Sequence, residues 1–388
     1  MPNEKRVITR RRFCQGAALG LGGLAVGGCF NNPAAAPEDA GALLQPVTTG
    51  KSVETCLNSR VARHAVLGGT ATQQQISNVL WAAGRAPVTG NLRTIYAKTA
   101  AGTYVYDPLQ HALQAHSGET VPNALRINYD RERDFDAGVS YMCALLASVS
   151  LWDGTKSQLA SCPQVGDLNF GIADVPGLRS EMVAVSTDGS LPAPVTEGSD
   201  KLEEVLAGLQ LTTALGTDRE LTLPEISQLL WAGYGCTPHS TFAGGGGLTV
   251  PSWVAQYFLT NRVYVVDARV ARYCNRRGSD IASRDHRLEP VSDVDVRAAV
   301  QAALPDLPPA PCYVLLCLSR TGLDTWFQRL ETGFAAGAML MQAGALGLGC
   351  AFKAALAPSA QAALQEITHI PAGDFAHAVV AIGSQMAA

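Results

Sequence analysis

The sequence has no CxxC pair, no HExxH, no histidine cluster and no basic stripe, and each absence removes a class of chemistry. Its seven histidines and ten cysteines are scattered, so no metal-ligand spacing appears and a zinc site is not expected. Of 29 basic and 33 acidic residues, five and one lie in the first 28 positions, leaving a body with 24 against 32. An acidic body without a cationic track offers nothing to a phosphate backbone, which argues against nucleic acid as a partner. Beyond Cys14 and Cys29 the cysteines are Cys56, Cys143, Cys162, Cys236, Cys274, Cys312, Cys317 and Cys350. Most read as small buried hydrophobes, with one or two disulfides open in an oxidising compartment. Cys312 and Cys317 fall in "CYVLLCLSR", a strand pattern, so alternation sends them to opposite faces.

What is present begins at the N-terminus. "TRRRFCQ" (Thr9 to Gln15) sets arginines before a phenylalanine, and the weakly apolar "GAALGLGGLAVGG" that follows is too short to span a bilayer. Small residues then lead to Cys29 and a Pro/Ala-rich stretch. The segment resembles a twin-arginine export signal joined to a lipobox. That implies cleavage before Cys29, a diacylglycerol on its thiol and a membrane-anchored lipoprotein on the periplasmic or extracytoplasmic face. A plain cleaved signal or an uncleaved anchor is the alternative. Twin-arginine export moves folded proteins, commonly because a cofactor is loaded first.

The chain also repeats itself. "ISNVLWAAGR" at residues 76–85 returns as "ISQLLWAGYG" at 226–235. Each copy is followed by a hairpin-like run closing on His111-Ala112-Leu113 or His286-Arg287-Leu288. Each then reaches a small-residue helix, "DAGVSYMCALLA" from Asp136 or "ETGFAAGAMLMQ" from Glu331. Order is kept while spacing grows, as for a duplicated unit with insertions in its second copy. Residues 1–28 read as signal, 29–52 as linker, 53–195 as the first half and 196–388 as the second. Ile76, Val79, Leu80 and Ala83 make one apolar helical stripe, and Ile226, Leu229, Leu230 and Gly233 repeat it. The helix start at "LTLPEIS" places Thr222 or Leu223 near the cap. The final strands are read at "SEMVAVS" (Ser180 to Ser186) and "AHAVVAIG" (Ala376 to Gly383). The expected class is α+β, with antiparallel-rich sheets packed with helices around a central helix pair.

"GFAAGAMLMQAGALGLGCAF" (Gly333 to Phe352) is long enough to span a bilayer and carries no charge. Its glycines and alanines dilute its hydrophobicity and let another backbone approach, so a buried central helix is the preferred reading.

"LPEISQLLWAGYG", a glycine-rich loop, "VPSW", "VYVVD" and "ETGFAAGAMLMQAGALGLGC" together resemble the nitroreductase superfamily, most closely its peptide-azoline dehydrogenase branch. The resemblance covers the chain after about residue 53, once per copy. It implies a nitroreductase-like fold and an oxidoreductase using flavin mononucleotide (FMN), held between two subunits that are here fused as an intramolecular pseudo-dimer, monomeric overall. It also implies an electron donor and a small-molecule or peptide substrate. The phosphate grip of that family corresponds to "SRVARHA", in which Arg60 and Arg63 match two basic positions; arginines three apart share a helical face. Val61 stands where the family has serine. The Pro-Ser pair lining the flavin ring corresponds to Pro251 and Ser252. The positions equivalent to the arginines in the second copy are Gln210 and Thr213, and no Pro-Ser pair occurs in the first. The resemblance therefore implies one intact site, formed by Arg60 and Arg63 of one half with Pro251 and Ser252 of the other. A degenerate binding module or complex subunit that has lost FMN is the alternative. Tyr257, Lys353 and the loop "TFAGGGGLT" are further candidates to meet substrate, against structural roles for each.

Overall fold

The computed structural model describes residues 43–60, 73–87, 95–99, 102–117, 124–128, 134–151, 158–164, 167–173, 190–240, 246–252, 256–321 and 326–385. All belong to one unit, residues 33–388. In chain order the elements begin with helices α1 (Val53–Ser59) and α2 (Gln73–Arg85), then strands β1 (Ile95–Thr99), β2 (Gly102–Asp107), β3 (Ala112–His116) and β4 (Ala124–Asn128). Helix α3 (Asp134–Leu151) and strands β5 (Gln158–Gln164) and β6 (Asp167–Ala173) follow. Next come α4 (Leu202–Ala207), β7 (Leu215–Gly216), α5 (Leu223–Tyr234), β8 (Cys236–Ser240), β9 (Gly246–Leu248), β10 (Val263–Val266), β11 (Val270–Cys274) and β12 (Arg287–Ser292). The chain continues through α6 (Arg297–Ala303), β13 (Cys312–Ser319), α7 (Trp326–Ala345), β14 (Leu348–Ala354), α8 (Pro358–Thr368) and β15 (Asp374–Gln385).

Two antiparallel sheets result. One runs β3-β2-β1-β4-β6-β5 and the other β12-β11-β10-β13-β15-β14, with β7 added beside β15; β8 and β9 form a separate ribbon. Position by position the two long orders match. The α+β class with antiparallel sheets is thus as the sequence implied. The strand expected at Ser180 to Ser186 lies outside the described residues, while β15 contains the one expected at Ala376 to Gly383.

Local chemistry explains the elements. Thr222 caps α5 in a full capping box: Glu225 N donates to its hydroxyl, and Glu225 Oε2 accepts from Thr222 N at 2.7 Å. The apolar stripes of α2 and α5 are buried in one core beneath both sheets. Strand β13 alternates as its pattern required: Cys312, Val314, Leu316 and Leu318 face that core. Tyr313, Leu315 and Cys317 face a second core, closed by Val300 of α6 and Leu364 of α8. The two cysteines therefore serve opposite faces, and the seven described cysteine side chains are buried.

The elements meet at α3 and α7. Every residue of α3 is buried except Val149 and Leu151. Gly138 and Gly333 let the two backbones touch: a Cβ on Gly138 would stand 2.8 Å from Gly333 Cα, and one on Gly333 2.9 Å from Gly138 Cα. Arg329 of α7 pins the pair, donating from Nε and Nη2 to the buried Asp134 Oδ2 at 2.9 and 2.7 Å. No helix among the described residues is long and apolar enough to cross a membrane; α7 is a buried central helix.

Two matched histidine clasps tie extended arms onto the helices. His111 Nε2 sits 2.8 Å from both Ser77 Oγ and Leu44 O, and the Tyr106 hydroxyl meets Nδ1 at 2.8 Å. His286 repeats this with Ser227 at 2.7 Å and Tyr273 at 2.8 Å, while Ser227 Oγ donates to Pro192 O. Burial pushes the His286 imidazole down to about 4, so it is neutral at physiological pH. One residue beyond each serine, Asn78 and Gln228 exchange two hydrogen bonds with the backbones of Val47 and Val195.

Replacing Gly333 by alanine should gain about 1 kcal/mol of helix propensity. It should lose up to about 3 kcal/mol to overpacking, because the opposing atoms are backbone and cannot turn aside. The expected net is a loss of about 2 kcal/mol, read as a lower urea midpoint at unchanged m-value.

Candidate functional site

Arg60 connects α1 to β9. Ser52 caps α1 by accepting from Thr55 N at 3.1 Å, and the helix stops at Ser59. Arg60 then takes an extended conformation (φ −60°, ψ 136°) and is 1% exposed. Its Nε donates to Thr249 O at 2.8 Å and its Nη2 donates to Leu248 O, both in the second half. Burial lowers its pKa to about 10, opposed by the hydroxyls of Tyr257 and Tyr141, so it stays cationic at neutral pH. No carboxylate among the described residues pairs with it. Arg60 itself is not helical: the helix expected to carry it ends at Ser59, and its side chain turns to β9. Arg63 lies outside the described residues, as does Cys29.

Pro251 and Ser252 follow β9 directly, so Arg60 grips carbonyls just upstream of the pair expected to face it across the halves. Pro251 is buried and Ser252 half-buried. The Ser252 hydroxyl donates to Glu331 Oε2 and accepts from Tyr257 N at 2.7 Å. Glu331, on α7, is fully buried and also accepts from the Tyr234 hydroxyl and from Leu259 N at 3.3 Å. Burial raises its pKa to about 7, against the opposing pull of Ser252, Tyr234 and the amides of Leu259 and Phe258. Ser252 therefore turns its proton inward and keeps one lone pair for another donor.

Around this pair the fold gathers Tyr257, a candidate from the sequence, together with Arg276 and Arg284, which the sequence did not place there. Arg276 is 1% exposed and donates from Nη2 to Gly246 O at 2.7 Å and from Nη1 to Ile281 O and Ser283 O. Its Cζ lies 5.2 Å from the Tyr257 ring centroid, and its buried Nε has no hydrogen-bond partner. Tyr257 is buried with φ 51°, in the left-handed region. Arg284 donates to Thr237 O, and burial together with the charge of Arg276 lowers its pKa. The available signal was the longer β11–β12 connection of the second copy, "NRRGSDIASRDH". Lys353 is not part of this group: its ammonium meets Asp306 Oδ2 at 2.6 Å. Of the loop Thr241 to Thr249, residues 241–245 lie outside the described set. Among the described residues no group of three or more His, Cys, Asp or Glu is placed to hold a metal ion.

No protein-family model matches the chain, and no curated protein matches it in sequence. Among solved structures, a candidate nitroreductase from Anabaena variabilis is 12% identical, with a TM-score of 0.54 over 90% of this chain and 94% of its own. The fold is nitroreductase-like. A candidate nitroreductase from Ralstonia eutropha is 21% identical, covering 55% of this chain and 100% of its own at a TM-score of 0.41. An FMN-dependent nitroreductase from Clostridium difficile is 15% identical, covering 47% of this chain and 87% of its own at 0.33. Within this nitroreductase-like fold, the Arg60, Ser252 and Glu331 group sits where α1, β9 and α7 converge.

The raised Glu331 pKa has a definite sign. The folded state holds this proton more tightly than the unfolded chain, so the contribution is fully present below about 4.5 and is lost as pH rises through about 7. Glu331→Gln mimics the protonated acid. Its thermal midpoint relative to the parent chain should therefore improve from pH 5 to pH 8, at a rate of at most about 1.4 kcal/mol per pH unit. Parallel melts across that range check it.

Proposed function

We propose that the chain is an FMN-dependent oxidoreductase of the nitroreductase type, formed by two fused homologous halves with one flavin site between them. The observation that carries this reading is Arg60: a fully buried guanidinium that crosses from the first half to the backbone preceding Pro251 and Ser252, with no anionic partner among the described residues. A buried charge without a counter-ion is costly, and a phosphate monoester satisfies it. FMN, when bound, would supply a ring that accepts a hydride from a donor and passes the electrons on. Arg60 would hold the phosphate through donors not spent on Thr249 and Leu248, with Arg63 as the second cation. Pro251 would brace the ring, and Ser252 would offer its remaining lone pair to a ring N–H.

The matching strand orders of the two sheets and the paired histidine clasps support duplication of one ancestral unit. The positions equivalent to the arginine grip in the second half, Gln210 and Thr213, are exposed and uncharged, which supports a single site. The peptide-azoline branch supplies the preferred substrate class, a peptide or small molecule. The N-terminal pattern supports export by the twin-arginine route and a lipid anchor on Cys29.

A second reading, a binding module that has lost flavin, is favoured by Val61 in place of a serine and by the Ser252 hydroxyl being turned toward Glu331. The visible spectrum of the purified full-length chain separates the two: a colourless protein that stays apo with added FMN rejects the enzyme. The double substitution Arg60→Ala and Arg63→Ala should weaken FMN binding by about 2 to 4 kcal/mol. Unchanged affinity removes the site assignment.

A further inference from the structure

Strand β9 is held by two guanidiniums along one edge. Arg276 binds the carbonyl of Gly246 and Arg60 that of Leu248, two residues on. Carbonyls two residues apart on a strand point the same way and lie about 7 Å apart. Tyr257 belongs to the same group. Its ring lies under the Arg276 guanidinium, and both arginines act electrostatically on its hydroxyl. That hydroxyl is within reach of the Leu248 amide but finds no acceptor for its own proton. Arg276 Nε is a second buried donor without an acceptor.

Charge accounting makes the arrangement unusual. Arg276 has no carboxylate partner among the described residues, and neither has Arg60. Of the acids in this connection, Asp285 is engaged by Arg287 at 2.8 Å and Asp280 is exposed and accepts from Ala282 N at 2.9 Å, while Glu331 is turned to Ser252 and Tyr234. Arg284 adds a third cation: a Cβ on Gly246 would lie 3.5 Å from its Cζ. A purely structural latch on β9 would be served by neutral donors at lower desolvation cost. Buried cations beside orphaned donors are instead what an anion requires.

We propose that Arg60, Arg276 and the Tyr257 hydroxyl form one anion cradle along β9 that takes a phosphate monoester. Resting on the flavin reading above, that monoester is the phosphate of FMN. Arg276 and Tyr257 thereby supply the donors that Val61 withholds. The connection between β11 and β12 thus has a use: twelve residues separate Cys274 from Arg287, against four between Asp107 and Ala112 in the first half, and the longer one delivers Arg276 to the other half's arginine.

The test compares FMN with riboflavin, the same ring without a phosphate, by fluorescence titration of the full-length chain in detergent. The parent chain should prefer FMN. Arg276→Ala should lower FMN affinity about 10- to 100-fold while leaving riboflavin affinity unchanged, and inorganic phosphate should compete with FMN but not with riboflavin. Arg276→Lys, which keeps the charge, should recover part of the loss; should the alanine variant fail to fold by circular dichroism, the lysine variant and the phosphate competition decide. An Arg276 variant that retains the parental FMN-to-riboflavin preference overturns the cradle while leaving the flavin site standing. A parent chain that binds neither flavin overturns the functional reading instead. The cradle then stands only if phosphate, against chloride at equal ionic strength, raises the melting temperature of the parent chain and not of Arg276→Ala.

Discussion

The structure depends on one contact: the backbones of α3 and α7 touching where Gly138 meets Gly333. Helices that close cannot be separated by side chains, so both must be nearly free of bulk at the crossing. Once they are, dispersion and the surrounding apolar faces hold them together. Everything else is arranged around this crossing. Asp134 and Arg329 fix its one end, and the stripes of α2 and α5 pack beside it. Glu331, two residues before Gly333, is carried into the interior by the same turn of helix, which is why a carboxyl group stands behind Ser252 at all.

The halves are also laced by exchange. Glu54 of α1 accepts from Gln342 of α7 at 2.6 Å, and Glu203 of α4 accepts from Ser150 of α3 at 2.7 Å. Each short helix thus sends a carboxylate to the other half's central helix. Leu202 N donates to Lys51 O at 3.0 Å, joining the two helix starts directly. Arg60 belongs to this set of crossings, and its position one residue past α1 follows from it: a helix anchored by Glu54 delivers the next side chain across the boundary.

Much of the architecture was legible because it rests on periodicity. The stripe Ile76, Val79, Leu80 and Ala83, its counterpart in α5, the alternation of β13 and the cap at Thr222 are local patterns, and local patterns are written in adjacent residues. The small residues of α7 announced close approach, although not the partner. Of the candidate site, Arg60, Pro251 and Ser252 were named from the resemblance, and the Arg60 side chain reaches the segment that leads into the other two. The direction of the Arg60 side chain was not legible, because the carbonyls of Leu248 and Thr249 that it binds lie some 190 positions away. Arg276 and Glu331 escaped for the same reason. Nothing in "NRRGSD" or "ETGF" says which strand edge or hydroxyl will lie opposite, and only tertiary packing brings β9 between them.

The near-complete burial of α3 has a consequence for how the protein is made. Its partner α7 ends at Ala345, so the ribosome must add about 195 residues after Leu151 before the covering helix is complete, roughly ten to forty seconds at ordinary elongation rates. Throughout that interval α3 has only the earlier segments such as α2 beside it, and the face that α7 will cover stays open. The segment around α3 therefore cannot lock into its final shape until synthesis is almost over.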